Sequence, residues 1–153
     1  MEGNIVPLSD GNLYQIMRWK AGSMLKLKIN TDNLEEKPKF AEIIEAPVSN
    51  SMFRIIPYED RFILIANRPG DCTASEVWSY RNVLSVYETK DFKSFTFIRD
   101  IINFENENPQ KHGFQYPAFL KEDHMLYLSI RSALNNADDF HNSNYMLFTK
   151  IHL

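Results

Sequence analysis

The stretch Met24-Leu25-Lys26-Leu27-Lys28-Ile29 sets Leu25, Leu27 and Ile29 against Lys26 and Lys28 at a period of two. Successive side chains of an extended chain point to opposite faces, so this is the pattern of a half-buried β-strand with its lysines in water. The same reading extends in both directions. Asn4–Leu8 is followed by the turn cluster Ser9-Asp10-Gly11-Asn12, and Leu13–Trp19 then alternates Leu, Gln, Met and Trp against Tyr, Ile and Arg. Phe40–Ile44 forms a weaker fourth strand ahead of Pro47.

The pattern restarts at Met52–Tyr58, turns at Glu59-Asp60 and returns through Phe62–Ala66. A loop rich in turn residues, including Pro69-Gly70-Asp71, runs to Tyr80. Val83–Thr89 and Phe95–Ile98 follow, and Ile101–Lys111 is polar enough to read as a connector. Gln115–Leu120, Met125–Ile130 and Tyr145–Ile151 complete eleven strands, grouped four, four and three. Four-stranded antiparallel units restarting every ~40–50 residues match the blades of a β-propeller. The expectation is therefore an all-β partial β-propeller in one domain, of about three four-stranded antiparallel blades (approximately 1–46, 51–100 and 112–153) with the last incomplete. A β-sandwich of similar strand count is the rival; the long loops after the second strand of a group and the short last group favour the propeller.

Composition narrows the function. Of 153 residues, 44% are hydrophobic and 24% charged, with a net charge of −3, and the basic residues are scattered. Nucleic-acid binding and attraction to an anionic membrane both want a basic stripe, which is absent from this sequence. Cys72 is the sole cysteine, which excludes an intrachain disulfide and a cysteine-based zinc site and reads as a small loop residue. No apolar run approaches the ~20 residues of a membrane span. Met-Glu-Gly-Asn-Ile-Val-Pro lacks the basic and apolar regions of a signal peptide, so either the chain is cytoplasmic or the start of a longer secreted protein lies upstream. No His/Asp/Glu set has metal-ligand spacing, and no metal or cofactor is implied.

Three further motifs occur in order. Glu2-Gly3-Asn4 opens a strand, Asp10-Gly11 turns it, and Arg18 ends the next; Arg81-Asn82-Val83 leads a strand whose exit is Thr89-Lys90-Asp91-Phe92-Lys93-Ser94-Phe95; and His112-Gly113-Phe114-Gln115-Tyr116-Pro117 opens the last group. Together they resemble the C-terminal half of the sialidase-like, Asp-box (BNR-type) six-bladed β-propellers. The ending Phe140–Phe148 is similar to uncharacterised members of that superfamily. The resemblance implies a carbohydrate-active, glycoside-hydrolase-type fold binding an acidic sugar. Arg18 and Arg81 would grip its carboxylate, since guanidinium groups pair with carboxylates through charge-assisted hydrogen bonds. Tyr116 would be the nucleophile, with Phe114 at that position on a second alignment, and Glu2 would take its proton. His112, Gln115, His141 and Asn144 would contact substrate. The family's first arginine and its aspartate acid/base fall in an N-terminal half that this chain does not contain, so hydrolysis by these residues alone is not expected. The resemblance also implies a secreted or periplasmic setting, and a homodimer whose two copies complete the six-bladed ring.

Residue chemistry also supports plainer readings. Arg18 and Arg81 serve equally as strand-end arginines paired to acids, Tyr116 as a core aromatic with its hydroxyl bonded, Glu2 as a solvated terminus, and His112 and His141 as structural histidines. Asp138-Asp139, His141 and Asn144 form a polar loop that touches sugar or faces water. The runner-up function is accordingly a non-catalytic glycan-binding or interaction module, or a truncated propeller. A five-bladed glycosidase of another family is a third reading, because a similar Asp-containing turn occurs there; it predicts carboxylate pairs rather than arginines about the axis.

Overall fold

The computed structural model describes residues 3–69 and 80–153. Local hydrogen bonds turn the chain where the sequence places its reversals. At the first turn, Asp10 Oδ1 accepts from Asn12 N at 3.0 Å, Gly11 N donates to Leu8 O at 3.0 Å, and Gly11 takes a left-handed φ of 77°. Glycine pays no Cβ penalty there. Tyr14 Oη then donates to Asp10 Oδ2 at 2.6 Å and ties the turn to the strand that leaves it.

Eleven strands result among the described residues. The first sheet is the antiparallel meander β1 (Gly3–Pro7), β2 (Leu13–Arg18), β3 (Ser23–Lys28) and β4 (Lys39–Glu45). The second is β5 (Arg54–Tyr58), β6 (Arg61–Asn67), β7 (Val83–Thr89) and β8 (Thr96–Asn103). The third holds β9 (Gly113–Glu122), β10 (Met125–Ala133) and β11 (Tyr145–His152), three strands among the described residues. This is the architecture of an incomplete multi-bladed propeller, as the grouping of four, four and three strands implied. The Ile101–Lys111 connector is shorter than the sequence suggests. Ile101 and Ile102 remain in β8 because they pack against the core between the second and third sheets.

Two cores alternate with the three sheets. Val6, Tyr14, Ile16, Met24 and Ile44 of the first sheet meet Phe53, Ile55, Leu64, Tyr87 and Phe92 of the second segment. On its other side the second sheet offers Ile56, Tyr58, Ile63, Ile65, Leu84 and Val86 to Phe114, Leu126, Leu128, Ile130 and Ile151. The middle sheet is thus covered on both faces, which is why Phe62–Ala66 is an unbroken apolar run rather than an alternating one.

Among the described residues, the outer sheets are covered on one face only. Ile5, Leu27 and Phe40 stand in register on the far side of the first sheet, with Ile5 65% and Phe40 64% exposed. On the far side of the third sheet, Leu120 pairs Tyr127 and Ser129 pairs Phe148, the last 78% exposed.

This division yields a stability contrast. Leu64→Ala, in the first core, lowers unfolding free energy by about 2–5 kcal/mol, whereas Phe148→Ala changes it by less than about 0.5 kcal/mol. Urea denaturation checks both, and equal costs would contradict an uncovered third sheet. The first turn adds a pH dependence. The Tyr14 hydroxyl, helped by the Asn12 amide, lowers the Asp10 pKa from 3.8 to about 2. A depressed carboxylate pKa contributes stability that is fully present above the ordinary value and lost as pH falls through the folded one. Asp10→Asn therefore flattens the loss of stability between pH about 4 and about 2, followed by the urea midpoint at each pH.

Candidate functional site

A meander sends alternate strand ends to the same side. The end of β2, the start of β5, the end of β6, the starts of β7 and β9 and the lead into β11 therefore share one end of the three sheets. Arg18, Arg81, His112, Gln115, His141 and Asn144 all lie at that end. Glu2, just before β1, lies outside the described residues.

Arg81 is the centre of a buried polar cluster where the second and third sheets meet. It forms an isolated parallel bridge to Gly113, and Phe114 N donates to its carbonyl at 2.8 Å. Its Nη1 donates to Gln115 Oε1 and its Nη2 to the Asn50 carbonyl at 3.2 Å. The guanidinium lies 5.3 Å from the Phe140 ring centroid, a cation–π contact. Gln115 Nε2 donates to the Phe140 carbonyl. Phe140 approaches so closely that a Cβ on Gly113 would stand 2.5 Å from its carbonyl oxygen, so only glycine fits there. The structure thus brings together Arg81 and Gln115, two of the expected substrate contacts.

The organising residue of the cluster is one the sequence reading did not single out. Asn67, last in β6 and buried, shares its amide between the carbonyls of Arg81 (3.1 Å), Val83 (3.2 Å) and Phe114 (2.8 Å). Its backbone carbonyl accepts from Ser49 N at 2.8 Å. Ser49 Oγ, Ser51 Oγ and Asn67 Oδ1 are buried without a hydrogen-bond partner among the described residues. A polar residue closing the apolar run Phe62–Ala66 was the available signal. Two more such residues join the leading strands. Asn4 donates to Phe53 O and accepts from Ile55 N, both at 3.2 Å, and Arg54 Nε donates to Pro117 O at 2.8 Å.

The other expected residues have local work. Asn144 spends its amide on Leu134, donating to its carbonyl at 2.9 Å and accepting from its N–H at 3.0 Å, which closes the loop ahead of β11. His112 packs its ring on Phe104 and contacts Asn108 O through Nδ1 at 3.1 Å. His141 stands edge-on to Phe140, and its carbonyl accepts from Arg131 Nη2 at 2.6 Å. Asp139 accepts from the Asn142 and His141 backbone N–H groups, which lower its pKa and make it a turn anchor. Tyr116 sits at a bulge with φ 51°, the Arg131 guanidinium 5.6 Å from its ring centroid. Phe114, the second alignment for the nucleophile, is fully buried in the core between the second and third sheets. Arg18 closes β2 in register with Met24, on the face turned toward the second sheet. No group of three or more His, Cys, Asp or Glu among the described residues is placed to hold a metal ion.

No protein-family profile and no curated protein matches the sequence. Solved structures do. A GH43 β-1,3-galactosidase aligns over 97% of this chain with a TM-score of 0.57 at 14% identity. A second GH43 β-1,3-galactosidase, solved with galactodeoxynojirimycin, also aligns over 97% (0.56, 12%). The α-L-arabinanase of Penicillium chrysogenum, complexed with arabinobiose, aligns over 97% as well (0.53, 10%). In fold the chain is similar to part of these propellers, which are five-bladed. The chain spans only 30%, 41% and 44% of the three matched chains, respectively.

This corrects the resemblance drawn from the motifs: the relatives in fold are not six-bladed sialidase-type propellers with Asp-box repeats. The reason is physical. Both kinds of ring are built of four-stranded meanders, so eleven strands do not count the ring. The supposed Asp-box is a β7–β8 turn held by general means. Thr89 Oγ1 accepts from Phe92 N at 2.9 Å, Asp91 Oδ1 accepts from Lys93 N at 2.8 Å, and Phe92 packs 5.0 Å from the Phe62 ring. The arginine clamp, the Tyr116 nucleophile and its Glu2 partner were implications of the sialidase family and lose that support.

Asn67→Ala leaves the carbonyls of Arg81, Val83 and Phe114 short of a donor in a buried setting. It is expected to cost about 2–4 kcal/mol, and Gly113→Ala to destabilise as well by driving Phe140 away. Denaturant unfolding measures both; a cost below about 0.5 kcal/mol for Asn67→Ala would remove it from this organising role.

Proposed function

We propose that this chain forms part of the wall of a carbohydrate-binding site in a glycoside-hydrolase-type propeller, and that by itself it binds glycan without hydrolysing it. The reading is carried by the match of nearly the whole chain to glycosidase propellers of which it spans less than half. The arrangement at one end of the leading strands supports it. Arg81, Gln115, Asn67, Ser49 and Ser51 are buried and hold the strand ends in place, and a sugar would meet the exposed His141 and Asn144 at that end. Hydrolysis of a glycosidic bond generally asks for two carboxylates flanking it, one as acid and one as base or nucleophile. No carboxylate hydrogen-bonds to Gln115 or Asn67 among the described residues.

Titration with β-1,3-galactobiose, arabinobiose and a sialylated trisaccharide, followed by amide chemical shifts, tests binding. Saturation is expected at about millimolar concentration, near −4 kcal/mol, with shifts at residues 46–53 and 112–116. Arg18→Ala is expected to weaken binding several-fold, most for the acidic sugar, at unchanged melting temperature. Aryl glycosides of the same sugars should release no phenol above buffer. Turnover above that level, or the absence of shifts with all three sugars, would overturn the proposal.

A further inference from the structure

Five residues other than glycine take a left-handed backbone among the described residues: Glu59, Phe92, Tyr116, Asp123 and Asn135. Four of them stand between strands, where such a backbone helps reverse the chain. Tyr116, with φ 51°, is the one inside a strand. It makes a bulge in β9, where Tyr116 and Pro117 together oppose Ile130 of β10. A left-handed backbone is unfavourable for a bulky side chain, and the residue ahead of a proline is ordinarily extended. Glycine is the usual occupant of such a bulge. Strain of this kind persists where the surroundings enforce it, and it gathers at sites that use it.

The surroundings of Tyr116 are fixed on both sides. The Pro117 carbonyl accepts from Arg54 Nε at 2.8 Å, and the buried Gln115 bonds to Arg81 and to the Phe140 carbonyl. The half-buried Tyr116 ring lies 5.6 Å from the Arg131 guanidinium. Arg131 is itself held, with Nε donating to Ser143 Oγ at 2.9 Å and Nη2 to the His141 carbonyl at 2.6 Å. Both acceptors are neutral, and no carboxylate pairs with Arg131 among the described residues. Asp139, in the same loop as His141, spends its carboxylate on the N–H groups of His141 and Asn142.

We propose that Tyr116 and Arg131 form a subsite for the carboxylate of an acidic sugar, with Arg131 Nη1 and the Tyr116 hydroxyl donating to its oxygens. The inference rests on the reading of that end of the sheets as sugar-binding, and it names the group bound there. A guanidinium already immobilised by a ring and two acceptors loses little freedom on binding, and its bonds to a carboxylate are charge-assisted. The left-handed backbone keeps the phenol beside that guanidinium. Glycine at the bulge would relax the backbone and abolish the subsite.

The probes are acetate, digalacturonate, its dimethyl ester, a sialylated trisaccharide and neutral β-1,3-galactobiose, followed by the Arg131 Nε–H and Tyr116 amide resonances of the full chain. Acetate reads the guanidinium without a sugar and is expected to shift Arg131 saturably. One of the two acidic sugars should do so at least about ten-fold more tightly than the ester, and which one separates a uronic from a sialic source. Arg131→Lys keeps the charge but not the fork, and should weaken the acidic sugar at least about ten-fold while leaving galactobiose unchanged. Tyr116→Phe should weaken it several-fold. Tyr116→Gly should abolish the preference for acid over ester with the melting temperature unchanged or raised. A fall of about 5 °C or more would mark the ring as packing alone and overturn the proposal. So would equal affinity for acid and ester, or an Arg131 resonance that no carboxylate moves. Failure of galactobiose alone would count against the wider sugar-binding reading and leave the carboxylate subsite standing. Binding of galactobiose with Arg131 silent would do the reverse.

Discussion

The arrangement depends on how the second sheet ends, at the carboxamide of Asn67. Apolar packing brings the second and third sheets together without direction, because burial scales with area and not with angle. Asn67 adds the direction. By reaching the carbonyls of Arg81, Val83 and Phe114 at once, it fixes the start of β7 against the start of β9, and with it the position of Arg81 over Phe140. Buried amides hold geometry in this way because their unpaired state is expensive in a low-dielectric interior. Gly113 completes the constraint from the other side, where a Cβ would stand 2.5 Å from the Phe140 carbonyl.

The same logic governs the leading strands. β1, β5 and β9 each pair on one side with the next strand of their own sheet and present the other edge toward the neighbouring sheets. Asn4 answers the edge backbone groups of Phe53 and Ile55, and Arg54 answers the carbonyl of Pro117. A propeller that packed only through its apolar faces would leave these inner edges unsatisfied. Polar side chains at strand starts serve the edges and, in doing so, bring a set of donors and acceptors to one end of the sheets. Architecture and candidate site are therefore built from the same residues.

Much of the fold was legible because a half-buried strand has a period of two that turns interrupt visibly. Met24–Ile29, the Asp10-Gly11 turn and the grouping of four, four and three strands are legible, but the faces of Met24–Ile29 are the reverse of those expected. Lys26 and Lys28 share the core-facing side with buried Met24, and Leu27 stands on the far side with Ile5 and Phe40. Phe62–Ala66 shows where that signal fails: buried on both faces, it has no period, and only its flanking turns mark it as a strand. The site was less legible for a different reason. Arg81 and Gln115 stand 34 residues apart and meet only because a parallel bridge joins Arg81 to Gly113. Asn67 has no motif at all; its role is visible only once three distant carbonyls converge on it. The number of blades was not written in the strands either, since the residues that set the angle between sheets are these buried polar contacts and not the alternation.

The uncovered faces follow from the fold's own economy. Each sheet has two faces, and only a sheet with neighbours on both sides can make both apolar and keep both dry, as the second sheet does. The first and third sheets carry apolar residues on both faces as well, yet have one neighbour each, so Ile5, Phe40, Leu120 and Phe148 meet water. The lysines of β3 do not serve that face: Lys26 and Lys28 pair with Ile16 and Tyr14 on the side turned toward the second sheet. The far face of the third sheet instead gathers leucine, tyrosine and phenylalanine about a groove and sets Lys150 among them. Apolar surface of that extent, rimmed by a charge and continuous with a bare strand edge, is the surface of an interior. At the polar end of the molecule, the Arg131 guanidinium stacks on the Tyr116 ring of the third sheet, so even there an aromatic face is covered by a long side chain and not by a neighbouring sheet.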